Sequence, residues 1–174
     1  WVTGLSQRPD GTWDVITDQG IVHAEHVVNA AGLWAREIGR MVGLELPVLA
    51  MEHQYVITEP MDVPRDLPTL RDPDRLTYYK EEVGGLVMGG FEPDAEPWGM
   101  AGIPEDFEFQ LLPDDWDQLQ VLMENALVRV PALGQAQIRQ FLNGPESFTP
   151  DNNFILGEAP ELAGYFVGAG FNSM

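Results

Sequence analysis

The sequence predicts a fold that mixes α/β and α+β character, and three stretches carry that reading. Val27-Val28-Asn29-Ala30-Ala31-Gly32-Leu33-Trp34-Ala35 runs a β-branched pair into small residues and then helix formers. That order is a buried strand, a tight turn and a helix start, and the shrinking side chains let a flat or anionic group approach the backbone. Pro113 to Val130 is the longest helical pattern and lies among strand-like runs. Gly164 to Met174 is a strand that opens into glycines.

Length and composition bound the possibilities. A chain of 174 residues, 44% hydrophobic, can bury one core or two small ones. Starting on Trp1 within a strand-like run, without a basic leader, it reads as a piece of a longer protein, and no run approaches the ~18 apolar residues of a membrane span. A formal charge of −19, with Lys80 as the only lysine, argues against nucleic acid or an anionic membrane as partner. The acids are dispersed, as in a surface tuned for solubility. With no cysteine, disulfides, thiolate metal ligands and a thiol nucleophile are excluded.

In chain order, residues 1–28 read as short strands. Trp13 to Thr17 alternates, and Ile21 to Val28 follows, with turns at Pro9-Asp10-Gly11 and Asp18-Gln19-Gly20. The second strand of this hairpin becomes wholly apolar, as expected of a strand buried on both faces. His23 and His26 fall on opposite faces, which predicts surface histidines and no shared metal. Trp34 to Val42 is a short helix with Trp34, Ile38, Met41 and Val42 inward and Arg36, Glu37 and Arg40 outward, stopped by Gly43. His53 to Thr58 is a strand that ends at Pro60, and residues 60–75 read as a surface loop.

Leu76–Lys80 and Leu86–Gly90 read as two strands joined around Glu82–Gly85, and residues 91–112 as a long acidic excursion. In the helix from Pro113 to Val130, the proline suits the first turn and Asp114, Asp115 and Asp117 suit the positive end of the dipole. Trp116, Leu119, Met123, Ala126, Leu127 and Val130 form its apolar stripe. Ala136 to Phe148 reads as strand broken at Asn143-Gly144-Pro145, followed by a turn at Thr149–Asn153 and an apolar run from Phe154 to Leu156.

Several segments in succession carry a resemblance: VVNAAGLWAREIGRMVGL, HQYVIT, the Tyr78-Tyr79 strand, NGPESFTPDNNFILGE and GYFVGAGFNSM. Together they resemble the FAD-dependent D-amino-acid-oxidase superfamily, and within it the dimethylglycine/sarcosine dehydrogenase branch. The resemblance implies a fragment of a Rossmann-like FAD-binding domain, residues 1–44 and 142–174, interleaved with an antiparallel-sheet substrate domain, residues 45–141. It implies FAD-dependent oxidative demethylation of an N-methyl glycine-type amine. Electron-transfer flavoprotein is an expected partner, as is tetrahydrofolate through a domain not in this sequence. The expected location is the mitochondrial matrix in a eukaryote and the cytoplasm in a prokaryote. The alternatives are a non-catalytic relative of the pyruvate dehydrogenase phosphatase regulatory-subunit kind, or an oxidase of another amine or amino acid.

Carried over by motif, Val2, Gly32 and Trp34 match positions at FAD, and Gly170, Phe171, Asn172, Ser173 and Met174 match the turn at the flavin. His53 and Tyr78 match active-site residues. Arg71 is added from chemistry, because a guanidinium pairs a carboxylate bidentately. The superfamily's G-x-G-x-x-G fingerprint is not in the sequence, and Gly168-Ala169-Gly170 is not that motif, since no helix follows it. By itself the segment is therefore expected to bind FAD poorly and to be inactive.

Overall fold

The computed structural model describes residues 1–172. In chain order the elements are β1 (Val2–Gln7), β2 (Trp13–Thr17), β3 (Gly20–Ala24), β4 (Val27–Asn29), a 3₁₀ turn (Gly32–Trp34), α1 (Ala35–Arg40), β5 (Leu49–Thr58), β6 (Leu70–Asp72), a 3₁₀ turn (Pro73–Arg75), β7 (Thr77–Glu82), β8 (Gly85–Gly90), β9 (Pro97–Trp98), α2 (Trp116–Arg129), a 3₁₀ turn (Pro131–Gln135), β10 (Ile138–Phe148), β11 (Ile155–Glu158) and β12 (Tyr165–Ala169). They divide between two compact units: residues Trp1–Ala50, Trp98–Asp106 and from Glu146 on, and residues Met51–Pro97 with Phe107–Pro145.

The first unit holds an antiparallel meander β1-β2-β3 and a second sheet ordered β11-β12-β4, whose β12 and β4 run parallel. The expected second strand of the hairpin does not run on to Val28. It ends at Ala24, and Val27–Asn29 joins a different sheet, with Val28 66% exposed rather than buried on both faces. Trp13 packs its ring against Tyr165 at 5.6 Å in the core, with Leu5, Ala35, Val48, Val167 and Ala169. Asn29 pins the strand–turn–helix: its Nδ2 donates to the Ala35 carbonyl at 2.8 Å and to Tyr165 Oη at 3.0 Å, and its Oδ1 accepts from Ala31 N.

One side chain of α1 and the residue that caps its C-terminus depart from the expected faces. Arg36 is buried, because its guanidinium donates to the carbonyls of Gly99 (3.1 Å) and Met100 (3.4 Å) and closes the 98–106 segment onto the helix. Met41, expected inward, is exposed.

In the second unit a sheet ordered β10-β5-β8-β7-β6 carries α2 on one face, and β9 also pairs with β5. Val56, Tyr79, Leu86 and Met88 point into that core with Leu119, Leu122 and Ala126 of the helix. The helix starts later than its proline suggests. Asp115 is the N-cap, its carboxylate accepting from Gln118 N at 2.9 Å, so Pro113 lies outside. Leu122 takes the inward place expected of Leu127, which is exposed together with Trp116. At the far end Arg129 Nε donates to the buried Asp72 at 2.6 Å, tying the helix to β6.

The expected break at Asn143-Gly144-Pro145 is absent, and β10 is continuous. It lies at the edge of the sheet, where a proline costs no ladder hydrogen bond. The expected loop at 60–75 likewise contains β6, three residues long and at the opposite edge.

Leu119, Leu122 and Ala126 are completely buried, so Leu122→Ala leaves a cavity and is expected to lower unfolding stability by about 3 kcal/mol in urea titrations of the full-length protein. Burial raises the phenols of Tyr165 and Tyr79 above their ordinary value of 10.0, against partial relief from hydrogen bonds with Asn29 and Thr77 respectively. Their neutral forms therefore support the fold fully below pH 10, and that support is lost as pH rises above it. The urea midpoint should hold from pH 8 to about 10 and fall above it, and fall less in Tyr165→Phe; equal falls would mean that Tyr165 is not the group responsible.

Candidate active site

The second unit's sheet has a face turned away from α2, and side-chain alternation decides what stands there. β5, β8, β7 and β6 align Tyr55 with Gly89, Gly89 with Tyr78, and Tyr78 with Arg71, one residue per strand across the sheet. His53 is two residues before Tyr55 and Phe91 is two after Gly89, so both share this face. The neighbouring tyrosine falls on the other side: Tyr79 is in the core, donating to Thr77 Oγ1 at 3.0 Å. One residue of register separates a half-buried phenol beside His53 from one in the core.

The cluster is aromatic and close. Tyr78 Oη lies 3.4 Å from His53 Nε2, a long hydrogen bond whose donor depends on the imidazole tautomer. The His53 ring stacks on Phe91 at 4.9 Å and 28°, and Tyr78 leans on the same ring at 6.1 Å. The Arg71 guanidinium carbon stands over Phe91, 5.2 Å from its centroid. The structure thus brings His53, Tyr78 and Arg71 onto one patch and adds Phe91, which the sequence reading passed over.

Gly89 was missed as well. A Cβ there would stand 2.5 Å from Tyr78 Oη and 2.8 Å from Tyr55 Cβ, so its bareness leaves room for the Tyr78 ring to lie across β8. The cue was a Gly-Gly pair inside a strand, which marks a close approach. Phe91 had no such cue, because a single aromatic after a strand has many uses.

In the first unit the expected cofactor residues are spread over several elements. Val2 is at the exposed start of β1. Gly32 has φ +56 with open space where a Cβ would stand, and Trp34 closes the same 3₁₀ turn half-buried. Gly170 has φ +71, and a Cβ there would meet the Thr149 methyl at 2.5 Å, so packing as well as conformation demands glycine. Phe171 stacks on Phe154 at 5.1 Å and 11°. Asn172 sits at φ +30, and its buried Oδ1 has no hydrogen-bond partner among the described residues. Ser173 and Met174 lie outside the described residues. His23 and His26 are both at the surface, with His23 Nδ1 2.6 Å from Asp14 Oδ1, and no metal-ligand cluster occurs among the described residues.

Comparison with known proteins bears on this arrangement. Residues 2–174 match the family model described as FAD dependent oxidoreductase. The chain is 40% identical to mitochondrial dimethylglycine dehydrogenase of Rattus norvegicus over 179 residues, covering 98% of this chain and 21% of that protein. It is 41% identical to mitochondrial sarcosine dehydrogenase of Mus musculus, covering 99% of this chain and 19% of the relative. It is also 41% identical to the mouse mitochondrial pyruvate dehydrogenase phosphatase regulatory subunit, covering 91% and 18%. The chain thus spans about a fifth of the length of the curated relatives it matches. Among solved structures it is similar to L-proline dehydrogenase from P. horikoshii, with a TM-score of 0.78 at 26% identity over 99% of this chain and 44% of that one. The mixed fold and the order of its segments are those of a known architecture, and the chain belongs to the DAO family of FAD-dependent oxidoreductases.

Proposed function

We propose that this chain is part of an enzyme that oxidatively demethylates an N-methyl glycine-type amine, dimethylglycine or sarcosine. The observation that carries the reading is the single patch holding His53, Tyr78 and Arg71, an imidazole–phenol pair beside a guanidinium. A short amino acid offers the matching groups: an amine for the pair and a carboxylate for the cation.

The fit of the cofactor rests on the first unit. Gly32 gives bare backbone facing open space, Gly170 and Asn172 have positive φ, and the buried Asn172 Oδ1 has no hydrogen-bond partner among the described residues. In this proposal Val2, Gly32, Trp34, Gly170, Phe171 and Asn172 supply part of the seat, residues 1–44 and 142–174 belonging to the FAD-binding domain and 45–141 to the substrate domain. Bound FAD supplies a two-electron acceptor.

The protein's own task is to hold the amine neutral and oriented. A protonated nitrogen has no lone pair to support loss of hydride from its methyl group, so His53, with Tyr78 beside it, takes the ammonium proton. Arg71 fixes the carboxylate through two parallel N–H···O bonds. Loss of hydride from the methyl carbon leaves an iminium, water adds to it, and the adduct splits into the demethylated amine and formaldehyde. Electron-transfer flavoprotein and tetrahydrofolate extend the proposal to the rest of the polypeptide.

The mouse regulatory subunit keeps a non-catalytic reading in play, and one experiment separates the two. Full-length protein should be yellow and should bleach anaerobically with dimethylglycine or sarcosine; a yellow protein that no N-methyl amine bleaches would overturn the proposal. His53→Ala should slow bleaching about 10²- to 10⁴-fold without removing the colour, the usual weight of a positioned acid–base group. Loss of FAD from that variant would instead mark His53 as structural.

A further inference from the structure

Resting on that reading, we infer that Phe91 is a positioning residue that sets the distance between the amine-holding pair and the carboxylate-holding cation. It thereby selects short amino carboxylates over amines of other shapes. One ring touches all three groups: His53 stacks on it at 4.9 Å, Tyr78 leans on it at 6.1 Å, and Arg71 lies over it at 5.2 Å. Its backbone is anchored, since Phe91 N donates to the Leu76 carbonyl at 2.9 Å. The ring is not core filling, because it is half-exposed and belongs to neither hydrophobic cluster.

Arg71 needs such a platform. It is exposed, on a three-residue edge strand, in a chain of net charge −19 that offers a long flexible guanidinium many carboxylates. A cation held over an aromatic face is attracted by the ring's quadrupole while its N–H edge stays available to an incoming anion. The same ring limits the tilt of the His53 imidazole. A substrate therefore meets its two anchors at a preset spacing, and molecules whose carboxylate lies farther from the nitrogen, or that have none, lose the match.

The test compares Phe91→Leu with Phe91→Trp in the full-length protein, using dimethylglycine and its carboxamide as reductants and trimethylglycine as a calorimetric binding probe. Trimethylglycine has no nitrogen lone pair, so it reports positioning without turnover. Phe91→Leu should raise KM for dimethylglycine about three- to tenfold and weaken trimethylglycine similarly, with little change for the carboxamide; Phe91→Trp should restore both, since indole holds cations at least as well. Equal losses on acid and carboxamide, or unchanged preference, would overturn the inference, as would Phe91-independent or undetectable binding of trimethylglycine. If trimethylglycine binding depends on Phe91 but no N-methyl amine bleaches the wild type, the substrate proposal falls and the positioning role stands.

Discussion

The two-residue alternation of the second unit's sheet is the constraint on which its candidate site depends. Each strand sends one set of side chains under α2 and the other to the opposite face, so a single register assigns Val56, Tyr79 and Met88 to packing. The same register aligns Arg71, Tyr78, Gly89 and Tyr55 in a row. Slippage of β7 by one residue would exchange Tyr78 for Tyr79 and turn Lys80 toward the core. The apolar contact with α2 therefore does more than stabilise: it fixes which side chains stand on the opposite face. The Arg129–Asp72 pair reinforces this from the end of the helix, holding the strand that carries Arg71.

The first unit relies on buried polar side chains where the second relies on register. Asn29 gathers a strand end, a turn and the first helical carbonyl, and Arg36 collects the carbonyls of a returning segment. Buried polar groups have to be paired, so each such residue specifies where backbone can pass. Neither appears in a hydrophobicity pattern.

That difference decides how much was legible in the sequence. Strands with alternating side chains, the long helix and the glycine-rich final strand were readable because burial imposes a period on them. His53 and Tyr78 were singled out only through the succession of motifs and Arg71 through its chemistry, and nothing in the sequence signalled that the three share one patch. What escaped depended on contacts distant in sequence. Val28 is apolar yet exposed, and Arg36 is charged yet buried because carbonyls some 60 residues away accept from it. Pro145 breaks no strand because that strand is an edge, and edges are defined by topology rather than composition. Phe91 became visible only once three partners stood around it.

The edge position of β6 would give Arg71 a duty besides the one proposed for it. An outer strand presents unsatisfied backbone groups that can template pairing with another molecule, and a charge on a very short strand is one means of blocking it. A replacement chosen to probe carboxylate recognition would then also weaken a guard against self-association. The residue at position 71 would then answer to solubility as well as to the proposed ligand.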